Sequence, residues 1–174
     1  FLLHCGATTV SREAVTEVQT PTGTTSWFPL AHNALVCEVE TQLLAAGFHI
    51  TGEAHALSHE GSRYFGLLAV ETPGGAKKEY TWTVGLRNSH DKSYPAGLVA
   101  GTRVFVCDNL SFCGEVTISR KHTRYAVRDL KHLTSRAVGQ LGDKFHHIDR
   151  RISAYREQRV TDKVAHDVIV RALD

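Results

Sequence analysis

The sequence predicts an α+β fold: an antiparallel β-sheet meander packed against a long C-terminal helix, with one N-terminal helix before the sheet. Three observations predict it. Apolar residues recur at three and four over residues 31–46; the period drops to two over residues 48–86, with turn residues between the runs; and a three-and-four stripe returns over residues 130–155. Successive hairpins imply antiparallel pairing, because parallel strands need crossovers of a dozen or more residues.

Residues 1–30 are rich in Thr, Ser, Gly and Pro and show little periodicity before Trp27-Phe28, so they read as an extended arm with room for one short strand. Leu35, Val36, Val39, Leu43 and Leu44 then define the first helix, and Gly47 stands where a left-handed C-terminal residue belongs. Residues 48–57, 64–70 and 80–86 are rich in β-branched and aromatic types and read as strands. His59-Glu60-Gly61 closes the first hairpin, and Pro73-Gly74-Gly75 with Lys77-Lys78 closes the second. A fourth strand is expected at residues 97–99 or 103–106, and a fifth at 115–119. Leu130, Leu133, Ala137, Leu141, Phe145, Ile148, Ile152 and Tyr155 form one stripe along a long helix that must face the sheet or a second subunit. Thr161-Asp162 caps a shorter helix carrying Val164, Val168, Ile169 and Leu173. The expected organisation is an arm (1–30), a core domain (31–160) and a C-terminal helix (161–174).

A chain of 174 residues with 42% hydrophobic and 22% charged residues is an ordinary globular chain of about one domain. No apolar run approaches the ~20 residues that span a bilayer, and Phe1-Leu2-Leu3 is too short for a signal segment. A cytoplasmic protein without a membrane partner is therefore expected. The chain begins at Phe1 and holds no methionine, as a trimmed chain would. Cys5, Cys37, Cys107 and Cys113 are irregularly spaced with no CxxC pair, so they are expected to be buried small hydrophobes rather than zinc ligands.

The overall charge of +2 hides an asymmetry. Residues 120–174 hold 13 Lys+Arg against 7 Asp+Glu, a net of +6, while residues 1–119 carry a net of −4. Arg120, Lys121, His122, Arg124, Arg128 and Lys131 form a dense run where the sheet gives way to the long helix, and Arg150, Arg151, Arg156 and Arg159 form another. A basic stripe is the footprint of a phosphate-backbone binder; it is also what the solvated face of an amphipathic helix looks like. Tyr94 and Tyr125 lie near the first run and could stack on unpaired bases.

The most distinctive stretch is Arg87-Asn88-Ser89-His90-Asp91-Lys92-Ser93, seven polar residues that end a strand and turn the chain. Its side chains could build that turn unaided, or present Arg87, Asn88 and Lys92 to a ligand. Taken with Gly101-Thr102-Arg103-Val104-Phe105-Val106-Cys107-Asp108-Asn109-Leu110, it resembles the signature of the domain of unknown function 932 family, found on phages, plasmids and bacterial chromosomes. The resemblance joins an Asn-Ser-x-Asp turn to an Arg-Val-x-x-Cys-x-Asn strand end and covers roughly residues 30–160. It implies a mobile-element setting of replication, recombination or defence. The order of helix, hairpins and long helix is also similar to that of the single-strand annealing proteins of recombination, at the level of fold only.

Enzyme readings draw on scattered residues. Cys107 or Cys113 with His90 or His122 could form a nucleophile pair, and His90, Asp91 and Glu79 a nuclease centre. His146-His147 point about 100° apart on a helix, HExxH is absent, and neither phosphate-cradling glycine motif is present, so no metal or cofactor is expected. The expected function is nucleic-acid binding, with DNA ahead of RNA, by a homo-oligomer of a phage- or plasmid-type system, whether in single-strand binding or annealing. Its candidate contacts are Arg87, Asn88, Lys92, Arg120, Lys121, Arg124, Arg128 and Lys131. The alternatives are an interaction module or host-factor inhibitor without nucleic-acid affinity, and a metal- or cysteine-dependent enzyme.

Overall fold

The period-two runs pair as hairpins. The structure is a computed structural model that describes residues 7–72, 81–101, 105–106, 112–114 and 116–173. Its elements in chain order are β1 (Thr8–Val10), α1 (Arg12–Glu17), α2 (His32–Ala45), β2 (His49–Ser58), β3 (Arg63–Glu71), β4 (Trp82–Ser89), β5 (Ala96–Gly101), β6 (Phe105–Val106), β7 (Phe112–Cys113), β8 (Val116–Arg120), α3 (Ala126–Glu157) and α4 (Asp162–Leu173). Six strands form one sheet in the order β1-β2-β3-β4-β5-β8, each neighbour antiparallel to the next, and β6–β7 form a separate ribbon. This is the α+β architecture that the periodicity predicts.

Burial explains where the period-two signal is clean and where it fades. β2 alternates between exposed and partly buried residues along its first half, whereas β3 is buried from Tyr64 to Val70 and β5 throughout. A strand covered on both faces loses its alternation and reads as a continuous apolar run. The hairpin between β2 and β3 turns through Glu60 (φ 55°) and Gly61 (φ 82°), closed by the Ser62 amide donating to the His59 carbonyl (3.0 Å). Two left-handed central residues give the twist that a tight hairpin needs. The turn expected at residues 73–75 lies outside the described residues, as do Cys5 and Cys107.

α2 ends as expected, on Gly47 with φ 81°. Leu35, Val36, Val39 and Leu43 are buried, and Leu35 meets Ala96, Leu98, Ile118, Leu130 and Ala137 around a void of about 20 Å³ between the sheet and α3. Cys37 departs from expectation. It stands between the apolar positions of α2 and is exposed, with its sulfur 3.6 Å from the Arg12 guanidinium.

The arm expected to be extended does contain the short strand β1, but it also carries α1. Ser11 caps that helix by accepting from the Ala14 amide (3.4 Å). Arg12 makes a two-pronged ion pair with Glu40 of α2 (2.7 and 2.8 Å) and donates to Asn33 (3.0 Å). Six residues with one buried apolar side chain, Val15, would not hold as a helix alone; these tertiary ties hold it.

The chain divides into two compact units, Phe1–Gly142 and Asp143–Asp174, and α3 is continuous through that boundary. The division therefore falls inside a helix. Within the first unit α3 buries Leu130, Ala137, Val138 and Leu141. Within the second, Phe145 and Ile148 are buried, but the expected stripe does not continue to Tyr155, which is exposed.

Candidate functional site

Two neighbouring clusters of the first unit hold His32 with His90 and, separately, His122, and they differ in how these rings are bonded. The first is closed. His32, at the start of α2, donates from Nε2 to the Gly61 carbonyl (2.9 Å) and accepts at Nδ1 from the Asn88 amide (2.9 Å), which fixes its tautomer. Asn88 also donates to the Leu30 carbonyl (2.7 Å), and His90 reaches the same oxygen through Nε2 (2.9 Å). The His32 and His90 rings stack 3.8 Å apart and 7° from parallel. Burial, reinforced by the nearby His90, pushes the His32 pKa down to about 3; burial likewise lowers His90 against the raising effects of the Leu30 carbonyl and Asp91. Both rings are neutral at pH 7.

The stretch read as a loop is thus half strand. Arg87, Asn88 and Ser89 belong to β4, and the turn proper starts at His90. Ser89 Oγ donates to the Tyr94 carbonyl (2.7 Å) and accepts from the Tyr94 amide (3.2 Å), bridging the turn's two ends. Asp91 accepts from the Ser93 amide (3.0 Å) and from Arg63 (2.6 Å). Partial burial works to raise the Asp91 carboxyl, but Ser93 and Arg63 together outweigh it and leave the group below its usual range. These are the self-built turn bonds that Asn, Ser and Asp make.

The second cluster is an open cleft of about 330 Å³ whose walls come from three segments: Ser26-Trp27 of the arm, Lys92 to Pro95 after β4, and Lys121 to Thr123 after β8. The Phe28 amide donates to the His122 carbonyl (3.0 Å), tying arm to sheet edge. The His122 and Trp27 rings meet edge to face at 6.2 Å, and the Lys92 ammonium lies 5.0 Å from the Trp27 ring centre. Lys92 has φ 67°, a left-handed conformation that lysine adopts at a cost. His122 is only 6% exposed, yet neither of its ring nitrogens has a hydrogen-bond partner among the described residues. The same holds for Trp27 Nε1 and Thr123 Oγ1. Burial, with His90 adding to it, lowers the His122 pKa. The cleft is therefore lined by two lysines and Trp27, and by His122 and Thr123, whose imidazole and hydroxyl atoms are buried in its wall, while Tyr94 is packed against Phe65 and the Arg87 guanidinium.

The eight residues expected from the sequence separate into groups. Lys92 and Lys121 come together at the cleft. Asn88 is wholly buried behind it, in the closed cluster. The half-buried Arg87 guanidinium lies 5.1 Å from the Tyr94 ring centre. Arg120 is ion-paired with Asp129, and Arg128 pairs with the same carboxylate (3.0 Å) while lying 4.5 Å from the Tyr125 ring centre. Arg124, in the turn entering α3, and Lys131, on its first turns, are exposed. Trp27 was not singled out by the sequence; its signal is a large aromatic in an otherwise polar arm.

The enzyme readings need residues that are not all on view. Cys107 and Glu79 lie outside the described residues, and so does the side chain of Cys113. Among the described residues no group of three or more His, Cys, Asp or Glu side chains could hold a metal ion, and no helix is long and apolar enough to cross a membrane. No protein-family model, curated protein or solved structure matches this chain.

Proposed function

We propose that the protein binds nucleic acid, with single strands favoured, through the Trp27 cleft and the cations beside it. One observation carries the reading: Lys92 and Lys121, from segments far apart in sequence, converge on a cleft walled by Trp27. Ammonium groups that hold phosphates beside aromatic faces on which bases stack are the working parts of a single-strand site. Lys121 and Arg124 before α3, and Arg128 and Lys131 on its first turns, extend the positive charge from the cleft along the chain. A site of this kind reads strand form more than sequence. The same proposal takes the chain as a member of the domain of unknown function 932 family, in a phage- or plasmid-type system, on its two polar motifs.

The test is fluorescence anisotropy of labelled single-stranded and duplex DNA titrated with protein across salt. Affinity for single strands should fall with a log–log slope of about −0.7 per phosphate neutralised. Replacing Arg124 and Arg128 together with Glu should abolish binding while the unfolding midpoint stays put. Retained affinity in that variant removes the α3 cations from the interface.

A second reading has its own observation. Val164, Val168 and Ile169 of α4 are all more than half exposed, as self-association through that helix would require. Sedimentation equilibrium over a hundredfold range of concentration tests it, and a constant monomer mass in that range removes it.

A further inference from the structure

Resting on that reading, we infer that the Trp27 cleft is a pocket for one nucleotide, its base set against Trp27 and read by His122, its phosphate held by Lys92 and Lys121. Native proteins leave very few buried polar groups without partners, and those few ask for an explanation. Here several stand together, at His122, Trp27 and Thr123, on the wall of one cleft. In the cluster beside it both ring nitrogens of His32 are bonded, although Asn88 Oδ1 is without a partner among the described residues.

The chemistry of the wall selects the guest. An aliphatic ligand leaves the indole N–H, the imidazole and the hydroxyl unpaired. A bare phosphate suits the lysines but makes no use of the Trp27 face. A planar nitrogen heterocycle presents donors and acceptors around its edge and a π-face for stacking, and an attached phosphate completes the match to both ammonium groups. Size agrees: about 330 Å³ is at the small end of ligand pockets, room for one nucleotide rather than a longer segment. A base stacking on Trp27 moves the Lys92 head, now over that ring, outward to the phosphate. The nucleotide can be free or an unstacked residue within a strand, since both present the same groups to the cleft.

Two titrations of the wild-type protein test this and separate the sources. The first compares a labelled single-stranded oligonucleotide with the same strand in which abasic sites replace the bases. The second measures nucleoside monophosphates by calorimetry, with inorganic phosphate as comparator. The abasic strand should bind on the order of ten- to a hundredfold more weakly, the loss expected when base–aromatic stacking is removed. Monophosphates should bind where inorganic phosphate at equal concentration does not, and Trp27→Ala should lose both effects with its unfolding midpoint within a few degrees of wild type. Equal, salt-sensitive affinity for intact and abasic strands overturns the pocket and leaves the backbone reading standing. Monophosphate binding without strand binding supports the pocket and removes the strand reading. Binding of neither overturns both.

Discussion

His32 and His122 are both buried, both neutral and both near His90, yet they sit in opposite circumstances. His32 has each ring nitrogen bonded, to a carbonyl of the β2–β3 turn and to a side chain of β4, and so locks three segments together. His122 is nearly as buried and has neither nitrogen bonded among the described residues. The first residue ties the scaffold together; the second keeps unmet bonding capacity. Burial and a lowered pKa do not tell them apart, and the partners do.

The comparison can be broken by replacing each ring with one that cannot bond. His32→Phe keeps the ring stack but strands the Gly61 carbonyl and one Asn88 N–H, and should cost about 2–5 kcal/mol in urea unfolding at pH 7. A cost below about 1 kcal/mol would show that those bonds contribute little. Acid gives the next largest effect. His32 has a folded pKa of about 3 against an unfolded value of about 6.5, so its contribution is complete above pH 6.5 and is lost as pH falls toward 3. Between pH 7 and pH 5 that single group should lower stability by about 2 kcal/mol, and the lowered His90 and His122 act in the same direction. Urea midpoints at the two pH values measure it, and the difference should shrink in His32→Phe.

His122→Phe should behave differently from His32→Phe. It removes two nitrogens that have no partner among the described residues, so stability should change by no more than about 1 kcal/mol, or rise, while mononucleotide binding is lost. Lys92→Gly sharpens the point at a smaller scale. It relieves a left-handed lysine and should gain up to about 1 kcal/mol, while the salt dependence of DNA binding falls by about one phosphate. A lysine that can be removed with gain in stability and no loss in binding would not belong to the site.

Periodicity made the sheet order's raw material and both main helices legible, because β2, α2 and the first half of α3 each bury one stripe or face. α1 was not legible, because what holds Arg12–Glu17 is an ion pair to Glu40, 28 residues away. Asn88 and Ser89 read as loop residues by composition, yet they are buried strand residues. The Asn88 amide nitrogen bonds to Leu30 and His32, whose distance along the chain no local pattern reports. Cys37 was misplaced for a simpler reason, since residue type suggested burial where its position on α2 dictated exposure. Within the candidate site the cations were visible as a charge run, but their convergence was not. Trp27 and His122 are separated by 95 positions and meet where the Phe28 amide bonds to the His122 carbonyl.

Tyr64 adds a consequence for how this sequence can vary. Its ring is stacked with those of His32 and His55, and its hydroxyl bonds to His55 Nδ1 (2.9 Å). To reach there it lies over Gly66, where an added Cβ would come 2.1 Å from the phenolic oxygen. Positions 64 and 66 thus share one side chain's volume and should behave as a single genetic site. Any residue larger than glycine at 66 needs a smaller one at 64, and a small residue at 64 alone leaves a hole that a larger residue at 66 could fill. In a pairwise mutational scan, the two should show strong sign epistasis.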